Sequence, residues 1–230
     1  MMSWLPESIA TYGQEIDDLF YLIYYITGAT FVLVSVALVA FLVMYRERPG
    51  HKAKYSHGNT ALEMTWTIVP ALILIILTFL SIPSWSKVKS RIPESDLHIR
   101  ITAKQFNLEV TYPGPDGKFD TGDDQTFDNE VHVPVGKPVV LHLRAKDVIH
   151  SVFIPVARFK QDVVPGREIL QWFEIRSDLK GDKAPKPGVP GKYEIPCAEL
   201  CGFGHSGMKG YLYVHTPEDY QTWLKQQWPA

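Results

Sequence analysis

Cys197-Ala-Glu-Leu-Cys201-Gly-Phe-Gly-His205-Ser-Gly-Met208 gathers two thiols, an imidazole and a thioether into one short run. Cys197 and Cys201 are the chain's only cysteines, so no wider disulfide framework exists. Soft sulfur beside imidazole selects copper or zinc over calcium or magnesium. A disulfide between the two cysteines and a structural zinc site are the other readings of this spacing. Zinc ordinarily takes Cys and His alone in a closed tetrahedron, whereas methionine as a weak axial ligand belongs to copper electron-transfer sites. The residue types favour copper and leave the other two open. A second histidine must come from elsewhere. His150, in Asp147-Val-Ile-His-Ser-Val-Phe-Ile-Pro155, is the candidate, although His98, His132, His142 and His215 lie in similar contexts and periodicity does not rank them.

Around this motif the chain reads as a tethered globular domain. Of its 230 residues 21% are charged, and its mean hydropathy is close to zero. That average hides two unlike parts. Leu19 to Tyr45 carries no charge and exceeds the roughly 20 apolar residues a membrane-crossing helix needs. Met64 to Ser86 is a second uncharged stretch, with Pro70 in its first half, where neighbouring helices or a kink accommodate the lost backbone donor. A signal peptide is the competing reading of the first stretch, but it is too long, lacks a basic start and follows Glu7, Glu15, Asp17 and Asp18. The expected order is an N-terminal extramembrane segment 1–18, spans 19–45 and 64–86 joined by a loop 46–63, a β domain 87–216 and a helix 217–230.

The loop holds Arg46, Arg48, Lys52 and Lys54, while the first eighteen residues hold no Lys or Arg. By the positive-inside rule the loop is cytoplasmic, and both termini and the large domain lie outside, in the periplasm or its equivalent. Lys87, Lys89 and Arg91 do not reverse this, since large domains translocate largely regardless of charge. A net charge of −2, with no basic cluster interleaved with aromatics, excludes a nucleic-acid partner.

Beyond His98 the pattern becomes short β-rich runs separated by Pro and Gly turns: Leu97 to Thr102, Phe106 to Tyr112, Val139 to Leu143, Val152 to Ile154 and Ile169 to Ile175. They predict a small antiparallel sandwich or barrel. Thr216 as N-cap, Pro217 at the first helical position, and Glu218 and Asp219 in the first turn predict a short amphipathic C-terminal helix. Between Asp116 and Glu130 lies an insertion dense in acids and glycines. A solvated hairpin, a calcium site and a docking patch for a basic donor are its three readings, and it lacks EF-hand spacing.

The order of two spans, a β domain, an isolated His-Ser and then C-x-E-x-C-G-x-x-H-x-x-M resembles subunit II of the haem-copper cytochrome c oxidases over nearly the whole chain. The likeness extends to Leu62-Glu63-Met-Thr-Trp66-Thr-Ile-Val-Pro70-Ala and to Lys160-Gln-Asp162-Val-Val-Pro165-Gly166-Arg167. It implies a transmembrane helical hairpin followed by an all-β cupredoxin-like barrel or sandwich with a binuclear CuA copper centre. Cys197 and Cys201 would bridge the coppers, His150 and His205 would be terminal ligands, and Met208 and the Glu199 carbonyl the weak ones. The Glu199 side chain resembles a ligand to magnesium or manganese at the interface with the catalytic subunit. Glu63 resembles the carboxylate at the mouth of a proton-uptake channel, against the plainer reading of a membrane-edge acid reaching for the surface.

The implied partners are the haem-copper catalytic subunit and other oxidase subunits, membrane lipid, and a cytochrome c-type or dedicated membrane-complex donor. The chain departs from the family where a tryptophan-rich stretch usually receives electrons: Thr102-Ala-Lys-Gln-Phe106-Asn-Leu-Glu-Val-Thr-Tyr112 has no tryptophan. A nitric oxide reductase of the same superfamily is the alternative complex, and a tethered copper chaperone or sensor is the alternative outside electron transfer. Nitrous oxide reductase is argued against by the membrane hairpin, the glutamate between the cysteines and the lack of a large added catalytic domain.

Overall fold

The computed structural model describes residues 5–52, 55–181 and 184–229; Lys54 of the basic loop and the first four residues of the N-terminal segment lie outside them. The chain divides into a helical unit, Glu15–Ser86, and a β-rich unit that joins the stretch before it to everything after it.

In the helical unit α1 (Gly13–Met44) begins ahead of the uncharged stretch, so that Glu15, Asp17 and Asp18 occupy its first turns. Acids are stabilising there, beside the unsatisfied N–H groups of a helix start. The second helix, α2 (Thr60–Trp85), is capped by Asn59, whose side-chain oxygen accepts from the backbone N–H of Ala61 and Leu62. Both Pro70 and Pro83 lie inside it, and a π-turn, Ser86–Ser90, follows. Large apolar side chains stand out on all sides of both helices, as lipid requires of a span.

The β-rich unit is built from β1 (His98–Lys104), β2 (Asn107–Tyr112), β3 (Gln125–Asp128), β4 (Glu130–Pro134), β5 (Pro138–Ala145), β6 (His150–Ile154), β7 (Phe159–Val163), β8 (Ile169–Glu174), β9 (Gly191–Pro196) and β10 (Lys209–His215). Among the described residues these form a five-stranded sheet, β3-β2-β1-β5-β8, a three-stranded sheet, β4-β10-β9, and the hairpin β6-β7. Period-two alternation sends Ile99, Ile101, Leu141, Leu143, Val131 and Val133 inward, each 0% exposed. Burying each such side chain contributes roughly 1.5–3 kcal/mol.

The all-antiparallel expectation is corrected here. β1 runs parallel to β5, and β4 parallel to β10. The chain leaves the first sheet after β3, lays down β4 in the second, and returns to set β5 beside β1 in the same direction. Two-layer closure produces that crossing, and strand propensity does not report it.

The N-terminal segment also differs from an outlying extramembrane tail. Ile9 N–H donates to the Val156 carbonyl at 2.8 Å, Thr11 N–H to Glu174 at 3.0 Å, and Arg176 N–H donates back to Ile9 at 2.9 Å. Residues 9–11 thus run along the chain that continues β8, and Ile9 and Tyr12 are 0% exposed. Tyr12 meets Trp172 edge-on, with ring centroids 5.4 Å apart.

In the acidic insertion the carboxylates turn to protein donors. Asp120 takes both guanidinium nitrogens of Arg100, Asp116 accepts from Lys118 N–H, Asp124 from Asp120 N–H, and Asp123 from the Thr121 hydroxyl. These contacts describe a hydrogen-bonded turn.

The C-terminal helix, α3 (Pro217–Gln227), lays Trp223 flat on His132 with centroids 4.5 Å apart, and Nδ1 of His132 lies 2.9 Å from Nε2 of His215. Burial first, and then neighbouring His132, hold His215 down to about 4 from its ordinary 6.5. Burial also lowers His132, against the pull of Glu130. Asp219 on α3 and Glu130 on β4 are the acids that oppose these shifts, and the facing Tyr213, Tyr220 and Trp223 are neutral. Between these pH values the unfolded chain binds a proton that the folded chain refuses, so stability rises with pH there. Acidification from about 6.5 to about 4 should remove on the order of 3 kcal/mol through His215, at 1.36 kcal/mol per unit. Unfolding midpoints measured from pH 7 to 4 should fall through this window, with a shallower fall in His215→Gln. A flat profile would show that the pair is not buried as a neutral unit.

Candidate metal centre

The site is assembled at one end of β6, β9 and β10. His150 opens β6, Cys197 directly follows β9, and Met208 directly precedes β10. Backbone pairing fixes these elements on one another: Cys197 bridges Val152, Cys197 N–H donates to the Met208 carbonyl at 3.0 Å, and Ala198 N–H to Ser151 at 3.2 Å. The intervening loop bends through Gly202 at φ +129°, a conformation that glycine adopts without a Cβ penalty.

Six donors converge. The Cys197 and Cys201 sulfurs lie 3.9 Å apart, and both thiols are free and buried. Cys197 Sγ is 3.9 Å from His150 Nδ1 and donates to the Glu199 carbonyl at 3.3 Å. Cys201 Sγ is 3.5 Å from His205 Nδ1 and 3.7 Å from Met208 Sδ. Among the described residues His150, Cys197 and Cys201 are the only group of three His, Cys or acid residues whose ligand atoms all lie within 4.8 Å of one another. Neither thiol is committed to a disulfide. The histidines that periodicity does not separate from His150 pair elsewhere: His98 with His142 at 2.9 Å, and His132 with His215.

The electrostatics suit a cation. His150 is 0% exposed, and its Nε2 donates to Asp147 Oδ1 at 2.8 Å, since a carboxylate only accepts. That contact leaves the Nδ1 lone pair aimed at the sulfurs. Against the burial that would raise it, hydrogen bonds from Gln105 N–H, His150 and Val148 N–H bring Asp147 down to about 2. Burial, then Cys197 beside it, push the Cys201 thiol up to about 11. Two adjacent thiolates therefore need positive charge between them, which bound metal supplies.

Asp147 and Gln105 touch the donor-bearing segments, and the motif does not single them out. An acid three residues before a strand-start histidine was the available signal for Asp147; Gln105 had none. Glu199 is half-buried beside the cluster. Glu63 stands in the first turn of α2, in the helical unit.

Known proteins resemble this chain over most of its length. The transmembrane domain of cytochrome C oxidase subunit II matches residues 2–84, and the periplasmic domain of the same subunit matches residues 115–212. Cytochrome c oxidase subunit 2 of Thermostichus vulcanus is 30% identical, over 96% of this chain and 78% of that one. The protein of the same name from Synechocystis is 27% identical, over 98% of this chain and 76% of that one. The periplasmic domain of subunit II from Bradyrhizobium japonicum is 28% identical at a TM-score of 0.48, over 60% of this chain and 96% of that one.

The chain belongs to the cytochrome c oxidase subunit II family. It is a subunit of cytochrome c oxidase, an oxidoreductase complex, anchored in the membrane by two apolar helices that precede a cupredoxin-like β domain. The family implies copper of the CuA type, and the soft donor set with its two free thiols fits it.

Proposed function

We propose that this chain is the electron-accepting subunit of a respiratory oxidase. It receives electrons at a binuclear CuA centre and passes them to the haem-containing catalytic subunit, where oxygen is reduced to water. The observation that carries this reading is the convergence of two buried thiols, two imidazole Nδ1 atoms, a thioether and a carbonyl at one end of the β domain. Cys197, Cys201, His150 and His205 would hold the copper pair, with Met208 and the Glu199 carbonyl as weak ligands. When bound, the metal pair supplies one-electron storage with little change of geometry. The protein's part is to hold the donors rigidly: Asp147 fixes the His150 ring, and burial excludes water from the sulfurs.

The relatives carry cytochrome c oxidase in their names, which sets oxygen ahead of nitric oxide as the substrate of the partner subunit. The Glu199 side chain is proposed to hold magnesium or manganese against that subunit. The basic loop is assigned to the cytoplasmic side, with the β domain and both termini opposite. Phe106, 41% exposed and packed on the ligand loop, stands in the stretch where the family usually carries tryptophan, and Phe203 of the ligand loop itself is fully exposed. A phenyl ring is smaller than an indole and has no N–H to anchor a partner. Ordinary soluble cytochrome c should therefore be a poor donor compared with a dedicated membrane partner.

Rapid mixing of the purified complex with a one-electron reductant should bleach the copper absorbance before the haems are reduced. Haem reduction at an unchanged rate in copper-depleted complex would overturn the assignment. Glu63, proposed at the mouth of a proton path, should behave differently: Glu63→Ala should slow steady-state turnover and leave the copper spectrum as it is. Unaltered turnover across pH would reduce it to a surface-seeking acid.

A further inference from the structure

Between β1 and β2 the chain turns at Gln105 and Phe106, and both residues of that turn are spent on the loops that carry the copper donors. The backbone N–H of Gln105 donates to Asp147 Oδ2 at 2.7 Å, and the other oxygen of that carboxylate accepts from His150 at 2.8 Å. The side chain reaches the opposite way: Gln105 Nε2 donates to the Cys201 carbonyl at 2.6 Å. Phe106 lies on the same loop. A Cβ added to Gly204 would stand 2.6–2.9 Å from three atoms of its ring, and one added to Gly202 would stand 2.7 Å from Gln105 Nε2. Two glycines thus leave room for the turn to sit against the ligand loop.

We propose that Gln105 is a positioning residue for the copper pair, a cross-tie that fixes the turn leading into His150 at a set distance from the loop bearing Cys201 and His205 before metal arrives. The inference rests on the copper reading and names a residue that touches no donor atom. Asp147 orients one histidine. Gln105 addresses both halves of the donor set, which come from segments far apart in sequence. If the loops were ordered only on binding, the lost conformational freedom would weaken metal affinity; ordering them during folding removes that loss. Loss of a partner that orients metal ligands typically weakens binding by about 10–100-fold.

The test uses the full chain in the purified oxidase complex. Gln105→Met keeps the length and the backbone N–H and removes only the side-chain donor; Gln105→Glu sets an acceptor against the Cys201 carbonyl. Copper should be released to a chelator about 10-fold faster in Gln105→Met, and faster still in Gln105→Glu. The copper hyperfine pattern in spin resonance should shift in both, a readout that a purely structural role in the β1–β2 turn would not move. Amide exchange should quicken at Gly202–His205 while the strands stay protected, separating a loosened loop from an unfolded domain. Gly204→Ala, which must displace the Phe106 ring, should shift the same pattern, and adding Phe106→Ala should restore it. Wild-type release rates and hyperfine pattern in both Gln105 variants would overturn the proposal. Fewer than two coppers per chain in the wild-type complex would overturn the copper reading itself, and the proposal with it.

Discussion

Cys201→Ser should abolish the two-copper mixed-valence signal altogether. Cys201 Sγ stands at the node of the site, within 4 Å of Cys197 Sγ, His205 Nδ1 and Met208 Sδ. Serine offers a hard hydroxyl that stays protonated at neutral pH and is a poor match for copper. With one sulfur left, the two metals are no longer coupled, and copper content should drop below two per chain. The β fold should survive, because a buried hydroxyl without a full set of partners costs only about 1–3 kcal/mol. Spin resonance and metal analysis of the purified variant check this, and a fully delocalised signal in Cys201→Ser would remove it from the bridging role.

Tyr12→Ala should be among the most destabilising changes in the β-rich unit, at roughly 3–5 kcal/mol by analogy with large aromatic truncations in cores. Tyr12 is 0% exposed, donates to the Trp172 carbonyl at 3.5 Å and packs edge-on against that indole. Alanine would leave a cavity that the β5–β8 edge cannot close. By the same reasoning a soluble fragment begun near Lys89 lacks part of its own core, because Ile9 and Tyr12 come from the other side of the helical hairpin. Fusing residues 5–14 back to such a fragment should raise its unfolding midpoint by on the order of 10 °C. A midpoint indifferent to the fused segment, together with less than 1 kcal/mol lost in Tyr12→Ala, would contradict the packing described here.

Legibility in the sequence followed the range of the interactions involved. Thr216 was readable as a helix cap because its partner, Asp219 N–H, is three residues away. The donor side chains of Cys197, Cys201, His205 and Met208 were readable because all four share one loop and their chemistry is distinctive. His150 was not separable by pattern from His98 or His142; it took the Val152–Cys197 bridge to bring it to the sulfurs. The two parallel pairings were hidden for the same reason, since β1 and β5 are joined only after the chain has visited the other sheet. Ile9 and Tyr12 lie beside a membrane span and looked like its flank; their partners, Val156 and Trp172, stand about 150 residues away. Gln105 was invisible on different grounds, because a glutamine in a turn carries no signature until the two loops that it joins are seen together.

The proposed function requires that this chain carry a pair of coppers sharing one electron. Metal analysis and spin resonance of the intact complex, compared with the same complex stripped of copper, measure it directly. Two coppers per chain are expected in the β domain, with a hyperfine pattern from one unpaired electron spread over two equivalent nuclei. A single-copper pattern, bound zinc, or a disulfide joining Cys197 to Cys201 would contradict it.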